Sequence, residues 1–215
     1  MAIKIILADD HTVIRAGIRS LLDKCPNIVV IAEASDGRET VEKAAQLKPD
    51  IIIMDIAMPN LNGVEATRKI KADNSRVKIL ALSMHADKRY IIETLKAGAS
   101  GYILKNCAVK ELTDAINTIN NNQTYLSPSI AEVVLDELLN DNTDVKNNSV
   151  LTAREKEVLQ LISEGKSTKK IAMELHISVS TIETHRRQAM EKLNIHSIAE
   201  LTKYAIREGL TTLEG

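Results

Sequence analysis

Five short, nearly uninterrupted apolar runs alternate along residues 1–121 with segments whose apolar residues recur every three or four positions. Continuous apolar runs are expected of strands covered on both faces, and the wider spacing of helices with one buried face. The strands predicted this way are Ile3 to Ala8, Ile28 to Ala32, Ile51 to Met54, Val77 to Leu82 and Tyr102 to Leu104. Between them lie helices. Thr12 is placed to cap the first, whose apolar face is Val13, Ala16, Ile18, Leu21 and Leu22; Asp36 opens the second; the others run from about Val64 to Ala72, Asp87 to Ala97 and Val109 to Asn121. This alternation predicts a doubly wound α/β fold, a five-stranded parallel sheet with helices on both faces.

The third run delivers Asp55 to the carboxyl end of a buried strand, where Met58-Pro59-Asn60-Leu61-Asn62-Gly63 breaks the regular structure. Alone, Asp55 reads as a cap for the next helix. Its counterparts change that reading: Asp9 and Asp10 follow the first strand, Ser83 the fourth and Lys105 the fifth. In a parallel sheet all these ends meet at the edge where ligands bind. Three carboxylates gathered there repel one another unless a cation neutralises them. Hard oxygen donors suit Mg²⁺. With a lysine and a hydroxyl beside them, the set suits an aspartyl-phosphate, in which the carboxylate attacks phosphorus while cations offset charge on the phosphoryl oxygens. His11 adjoins the acidic pair but reads as an exposed helix-start residue, and His85 as a solvated loop residue.

Beyond residue 123 the pattern changes. Ser127-Pro128 starts a helix with Ile130, Val133, Val134, Leu135 and Leu138 as an apolar face that needs a partner surface. Asn140 to Ser149 is polar, acidic and aperiodic, the composition of a flexible tether. From Leu151 on, every periodic segment is helical. Thr152 and Glu155 form a capping-box pattern, Gly165 stops that helix, Ser167 starts a short one through Leu175, His176-Ile177 turns the chain, and Ser178 opens another to about Leu193. Ser197 begins a last helix. Two helices joined by so short a turn predict a helix-turn-helix, and the second carries hydrogen-bonding side chains near its amino terminus, as major-groove reading requires. Lys169-Lys170 and Arg186-Arg187 add local charge for phosphates. The domains expected are therefore 1–123, a linker helix and tether over 124–149, and a small all-α domain over 150–215.

Composition narrows the class. With 44% hydrophobic and 27% charged residues and no apolar run long enough to span a bilayer, a soluble, cytoplasmic protein is expected. The two cysteines, Cys25 and Cys107, lack metal-type spacing and read as reduced thiols. A net charge of −1 excludes nucleic-acid binding by bulk charge, so any contact must come from a local patch.

Asp9-Asp10, Asp55 with Met58-Pro59 and Gly63, Ser83, Tyr102 and Lys105 together resemble a response-regulator receiver domain. The resemblance implies that Asp55 is the phosphoacceptor, that Asp9, Asp10, Asp55 and the Ala57 carbonyl hold Mg²⁺, that Lys105 and Ser83 bind the phosphoryl group, and that Ser83 and Tyr102 form a switch pair. Two positions depart from the usual pattern: Asn106 where a proline often follows the lysine, and bulky Met84 where a small residue often follows the switch hydroxyl. Residues from about 150 to 211 look like the LuxR-type DNA-binding domain of NarL/FixJ response regulators, through Leu151-Thr152-Ala153-Arg154-Glu155, Ile171-Ala172, Thr181-Ile182-Glu183-Thr184-His185 and Lys192-Leu193. This resemblance implies base contacts from Glu183, Thr184 and Arg187, phosphate contacts from Lys169, Lys170, Ser180, Thr181, Arg186 and Lys192, and a dimer on DNA.

The expectation is thus a transcription factor, not an enzyme, phosphorylated by a histidine kinase and binding paired half-sites of double-stranded DNA as a homodimer, without membrane association. A phosphohydrolase of the haloacid-dehalogenase kind would need a second aspartate two residues after the nucleophile, where Ala57 stands. A flavodoxin-like redox module would need a phosphate-cradling loop after the first strand. A phosphorylation-independent scaffold is disfavoured by the intact acidic set.

Overall fold

The computed structural model describes residues 2–84, 87–106, 109–140 and 150–211, which form two compact units. In the first, β1 (Ile3–Ala8), β2 (Ile28–Ala34), β3 (Ile51–Asp55), β4 (Lys78–Ser83) and β5 (Gly101–Leu104) alternate with α1 (Thr12–Leu22), α2 (Gly37–Leu47), α3 (Gly63–Asp73), α4 (Lys88–Lys96) and α5 (Val109–Asn120). All strand pairs are parallel, in the order β2-β1-β3-β4-β5, followed at the edge by a sixth strand, β6 (Tyr125–Leu126). The sheet therefore has six strands where the sequence pattern predicts five. A two-residue strand has no periodicity to read. It exists because Tyr125 pairs with Gly101 and Leu126 with Tyr102, with Tyr125 N donating to Ser100 O and Ser127 N to Tyr102 O.

Side chains alternate across each strand, so the apolar runs feed two cores. Ile5, Leu7, Ile51, Ile53, Leu80, Leu82 and Ile103 pack with Leu22 of α1 and with Leu112, Ala115, Ile116 and Ile119 of α5. On the other face Ala81 and Tyr102 pack with Val64 of α3 and Ile91 of α4. The chain leaves β1 for β2 on one side and β3 for β4 on the other, so the connections diverge at the carboxyl ends of these two paired strands. That divergence opens the crevice that receives Asp9, Asp10 and Asp55.

The helix predicted after Ser127 is α6 (Pro128–Asn140), and its partner surface lies in this unit. Ile130 is fully buried in the cluster of Ile91, Ala97 and Tyr102, Val133 and Val134 pack beside it, and Glu137 pairs with Lys88 of α4 at 2.5 Å. Leu135 and Leu138 are both exposed: the helical period turns Leu135 away from Ile130, and Leu138, two turns on, is not in the buried cluster. Of the predicted tether, 141–149 lies outside the described residues.

The second unit is four helices, α7 (Ala153–Ser163), α8 (Thr168–Glu174), α9 (Val179–Leu193) and α10 (Ile198–Arg207). Each starts at its predicted cap. Thr152 and Glu155 close a full capping box, and Ser167, Ser178 and Ser197 each accept from a backbone N–H in the following turn. His176, at φ 53°, makes the tight turn between α8 and α9. Two apolar clusters fill the interior, one of Leu151, Leu159, Ala189, Leu201 and Ala205, the other of Val158, Leu161, Ile171, Leu175 and Ile182.

Glu155 is buried in this unit and both its oxygens accept from Lys192 of α9, at 2.8 and 2.7 Å. Burial alone would raise its pKa, but Lys192 and Thr152 outweigh it and hold the carboxyl below 4.5. A depressed carboxylate contributes stability that is complete above its unfolded pKa and lost as pH falls through the folded one. Glu155→Gln keeps the cap and removes the charge, so it should cost about 1–3 kcal/mol at pH 7. Thermal denaturation across pH should show the gap to wild type closing below 4.5.

Candidate functional site

The strand ends bring the predicted residues to one edge. Lys105, just past β5, places its Nζ 2.6 Å from Oδ2 of Asp55 and 2.9 Å from Oδ2 of Asp9, with all three side chains almost wholly buried. Its position follows from the backbone: Lys105 N donates to Ser83 O at 2.7 Å, which carries the β4–β5 pairing one step past the sheet. Asp55 also accepts from Ala57 N at 3.3 Å. Burial works to raise the Asp55 pKa, opposed by Lys105 and aided by Asp9, and the net shift is upward. For Lys105, burial works to lower it, but the two carboxylates prevail and hold it above its ordinary value.

Asp9 accepts the His11 N–H at Oδ1, 2.8 Å away, closing a tight turn that directs Asp10 toward the same crevice. Asp9, Asp10, His11 and Asp55 each offer one ligand atom within 4.8 Å of the others, the one such group among the described residues. Buried Asp9 Oδ2 and Asp10 Oδ1 have no hydrogen-bond partner, though Lys105 Nζ and His11 Nδ1 each approach to 2.9 Å. Carboxylate oxygens lacking donors, beside a single lysine, fit a hard divalent cation. His11 is exposed at the start of α1, as expected, but it and not Thr12 is the N-cap residue, without a side-chain cap hydrogen bond, and its Nδ1 turns back to 2.9 Å from Asp10. Nothing in the spacing distinguishes this from a solvent-facing imidazole.

Gly63 explains the break after β3. A Cβ there would lie 2.1 Å from the Asp55 carbonyl oxygen and 2.9 Å from Ile56 Cα, so only glycine lets α3 start against the Asp55 loop. Asn62 caps that start by accepting from Glu65 N.

Ser83 is buried at the end of β4, and Tyr102 is fully buried on β5 within hydrogen-bonding influence of it. Burial lifts the Tyr102 pKa to about 12, so the phenol stays protonated. Met84 is 63% exposed. No cis peptide bond occurs among the described residues, so the bond from Lys105 to Asn106 is trans. His85 and Cys107 lie outside the described residues.

In the helical unit, Lys169 and Lys170 are exposed on α8, and Ser180, Glu183 and Arg187 on α9. Ser180, Glu183, Thr184, Arg186 and Arg187 line one open groove along α9. Three predicted phosphate contacts have other partners as well. The Ser180 and Thr181 hydroxyls lie 2.8 and 2.7 Å from that of Ser178 in the cap, and the Lys192 ammonium is held by Glu155.

An acidic edge with a buried lysine, joined in one chain to a capped helix-turn-helix, defines a response regulator with a DNA-binding output domain. A model of the response regulator receiver domain matches residues 5–117, and one of bacterial regulatory proteins of the luxR family matches residues 149–205. The chain belongs to this family, as a NarL/FixJ-type transcription factor and not an enzyme. It is 38% identical over 213 residues to the oxygen regulatory protein NreC of Staphylococcus carnosus (strain TM300), covering 96% of this chain and 98% of that one. Among solved structures it is similar to RcsB of Salmonella enterica serovar Typhimurium bound to promoter rprA in the presence of the phosphomimetic BeF3⁻, with 25% identity, a TM-score of 0.61, and 95% and 98% of the two chains covered. A structure of two RcsB dimers bound to two parallel DNAs matches at 25% identity and a TM-score of 0.59, covering 95% of this chain and 98% of that one. Receiver domains bind Mg²⁺ through an acidic pocket of this kind.

Gly63→Ala should displace the Asp55 carbonyl, costing about 1–3 kcal/mol in stability as overpacking does. Beryllofluoride uptake, followed by ¹⁹F NMR, should fall with it. Uptake equal to wild type would mean that the close approach is dispensable.

Proposed function

We propose that this chain is a phosphorylation-controlled transcription factor of a two-component system, with Asp55 as phosphoacceptor and a histidine kinase as donor. The observation that carries the reading is the buried contact of Lys105 with both Asp55 and Asp9. In the reaction an Asp55 carboxylate oxygen attacks phosphorus, an O–P bond forms, the P–N bond of the phosphohistidine breaks, and the imidazole leaves carrying the electron pair. Lys105 stays charged and, freed from Asp55, turns to the phosphoryl oxygens with the Ser83 hydroxyl. Asp9, Asp10, Asp55 and the Ala57 carbonyl would hold Mg²⁺, which supplies charge neutralisation on the transferring group.

The signal then leaves through β5. As Ser83 turns toward the phosphoryl group, it vacates its place beside Tyr102, which shares a buried cluster with Ile130 of α6. Because α6 leads into the tether, a shift of Tyr102 reaches the DNA-binding domain along the chain itself, by biasing one of two α6 arrangements. The division into a receiver (1–123), a linker (124–149) and a DNA-binding domain (150–215) follows that path.

DNA is read by α9 in the major groove, with base contacts from Glu183, Thr184 and Arg187 and phosphate contacts from Lys169, Lys170, Ser180, Thr181, Arg186 and Lys192. Glu183 accepts from cytosine N4, the base edge that suits a carboxylate. Homodimers occupy paired half-sites, a reading supported by the RcsB dimers on DNA. No helix among the described residues is long and apolar enough to cross a membrane. A cytoplasmic location follows from the proposed partners, a kinase's phosphohistidine and DNA.

The test is DNA affinity and solution mass with Mg²⁺, with and without beryllofluoride, for wild type and Asp55→Ala. Wild type should dimerise and bind DNA at least tenfold more tightly when loaded, a coupling of about 1.4 kcal/mol, and Asp55→Ala should not respond. Equal, tight binding in all four conditions would reject the switch.

A further inference from the structure

Arg15 stands on the first turns of α1, outside the set of residues discussed so far, with its side chain only 17% exposed. Its Nη1 donates to the Asp9 carbonyl at 2.6 Å and its Nε donates to Glu33 Oε2 of β2 at 3.0 Å. Arg19, one turn on, lies 3.6 Å from the other Glu33 oxygen. The guanidinium is therefore braced from β2 while it grips the end of β1.

The carbonyl it grips belongs to the peptide that joins Asp9 to Asp10. A peptide unit is planar, so fixing the direction of its oxygen fixes the plane, and with it the directions in which the two flanking side chains leave the backbone. The rest of Asp9 is already tied: its N–H donates to Ala34 O at 3.1 Å and its Oδ1 accepts from His11 N. Asp10 is more exposed, with His11 Nδ1 as its close neighbour at 2.9 Å. The carboxylate least anchored by its own contacts thus depends most on the peptide that Arg15 holds.

We propose that Arg15 is a positioning residue for the divalent-cation site: it sets the plane of the peptide between Asp9 and Asp10 so that both carboxylates face Asp55. The inference rests on reading the acidic cluster as a cation site. Arg15 touches neither the cation nor the phosphoryl group. It acts through the loop, as groups behind metal ligands do, and loss of such a group typically weakens metal binding roughly ten- to a hundredfold.

Mn²⁺ is the probe, titrated into the full chain without any phosphoryl donor, with free ion read from its electron paramagnetic resonance signal and Mg²⁺ as competitor. Arg15→Met keeps the stem and removes the donors, and should weaken Mn²⁺ roughly tenfold or more. Arg15→Lys keeps a charge able to reach the carbonyl but cannot also bridge to Glu33, so it should fall between the two, roughly threefold from wild type. Glu33→Gln loosens the brace and should weaken binding in the same direction, which keeps the test decisive if Arg15→Met fails to fold. Unchanged Mn²⁺ affinity in Arg15→Met, or in both milder variants, would overturn the proposal, and a lowered melting temperature with wild-type affinity would assign Arg15 a structural role alone. Asp10→Asn separates the two levels. If wild type and Asp10→Asn take up no Mn²⁺ alike, the cation site itself falls and this inference with it; if wild type binds and Asp10→Asn does not, the site stands and the Arg15 variants decide.

Discussion

The structure turns on one buried cation. Asp9 and Asp55 are brought to the same crevice by the neighbouring carboxyl ends of β1 and β3, and neither has solvent to spread its charge. Two ionised carboxylates in that position are tenable only with positive charge between them. Lys105 supplies it, and its own burial is tolerable only because two carboxylates face it. The two carboxylates thus hold Lys105 charged, while Lys105 opposes the rise that burial and Asp9 impose on the Asp55 pKa. The arrangement has one lysine for three aspartates, so it is short of positive charge by construction. That shortage is what makes the pocket receptive to a divalent cation and then, with the cation present, to a phosphoryl group.

Strand β5 carries the consequences outward. Its carboxyl end positions Lys105, its middle holds Tyr102 in the opposite core, and its outer edge pairs with β6. Tyr102 meets the Ser83 hydroxyl and shares a buried cluster with Ile130 of α6. A change in charge at the sheet edge and a change in packing under α6 are therefore linked through one buried cluster. A phenol with a pKa near 12 cannot respond by ionising, so the only response open to it is to move. The helical unit is stiffened differently: Glu155 pins both the start of α7 and the last turn of α9, leaving the amino-terminal half of α9 with its exposed Glu183 and Arg187 as the presented face.

Legibility in the sequence followed the range of the interactions. Strands buried on both faces announce themselves as apolar runs, and caps as single residues before a periodic segment, so β1 to β5 and the starts of α7 to α10 were readable, as were the strand-end residues Asp9, Asp55, Ser83 and Lys105. Features that depend on a partner distant in the chain were not. Strand β6 is two residues long and exists only because the edge of β5 accepts it. Leu135 and Leu138 look like members of one apolar face with Ile130, because a sequence shows that a helix has apolar residues but not which of two adjacent stripes finds a surface. His11 reaches Asp10 by a side-chain rotation that no spacing encodes. Lys192, on the last turn of α9, is read as a phosphate contact through the family resemblance, while its partner Glu155 is 37 positions away.

The same distinction explains why an acidic edge of this kind is robust to its surface and sensitive to its supports. The carboxylates are placed by strands whose register is fixed along Ile5 to Ala8 and Ile51 to Asp55, and a buried register cannot slip by one residue without turning every side chain to the wrong face. What register cannot fix is the loop just beyond it, where Asp10 and His11 leave the sheet and where Gly63 must admit α3 against the Asp55 carbonyl. There the backbone has no ladder to hold it, and direction must come from side chains that reach back to it: the Asp9 carboxylate to His11 N, the Arg15 guanidinium to the Asp9 carbonyl, Asn62 to the start of α3. Geometry fine enough to bind a cation and pass a phosphoryl group is set in that last turn of unladdered chain, so the residues that hold it are as much part of the site as the carboxylates they present.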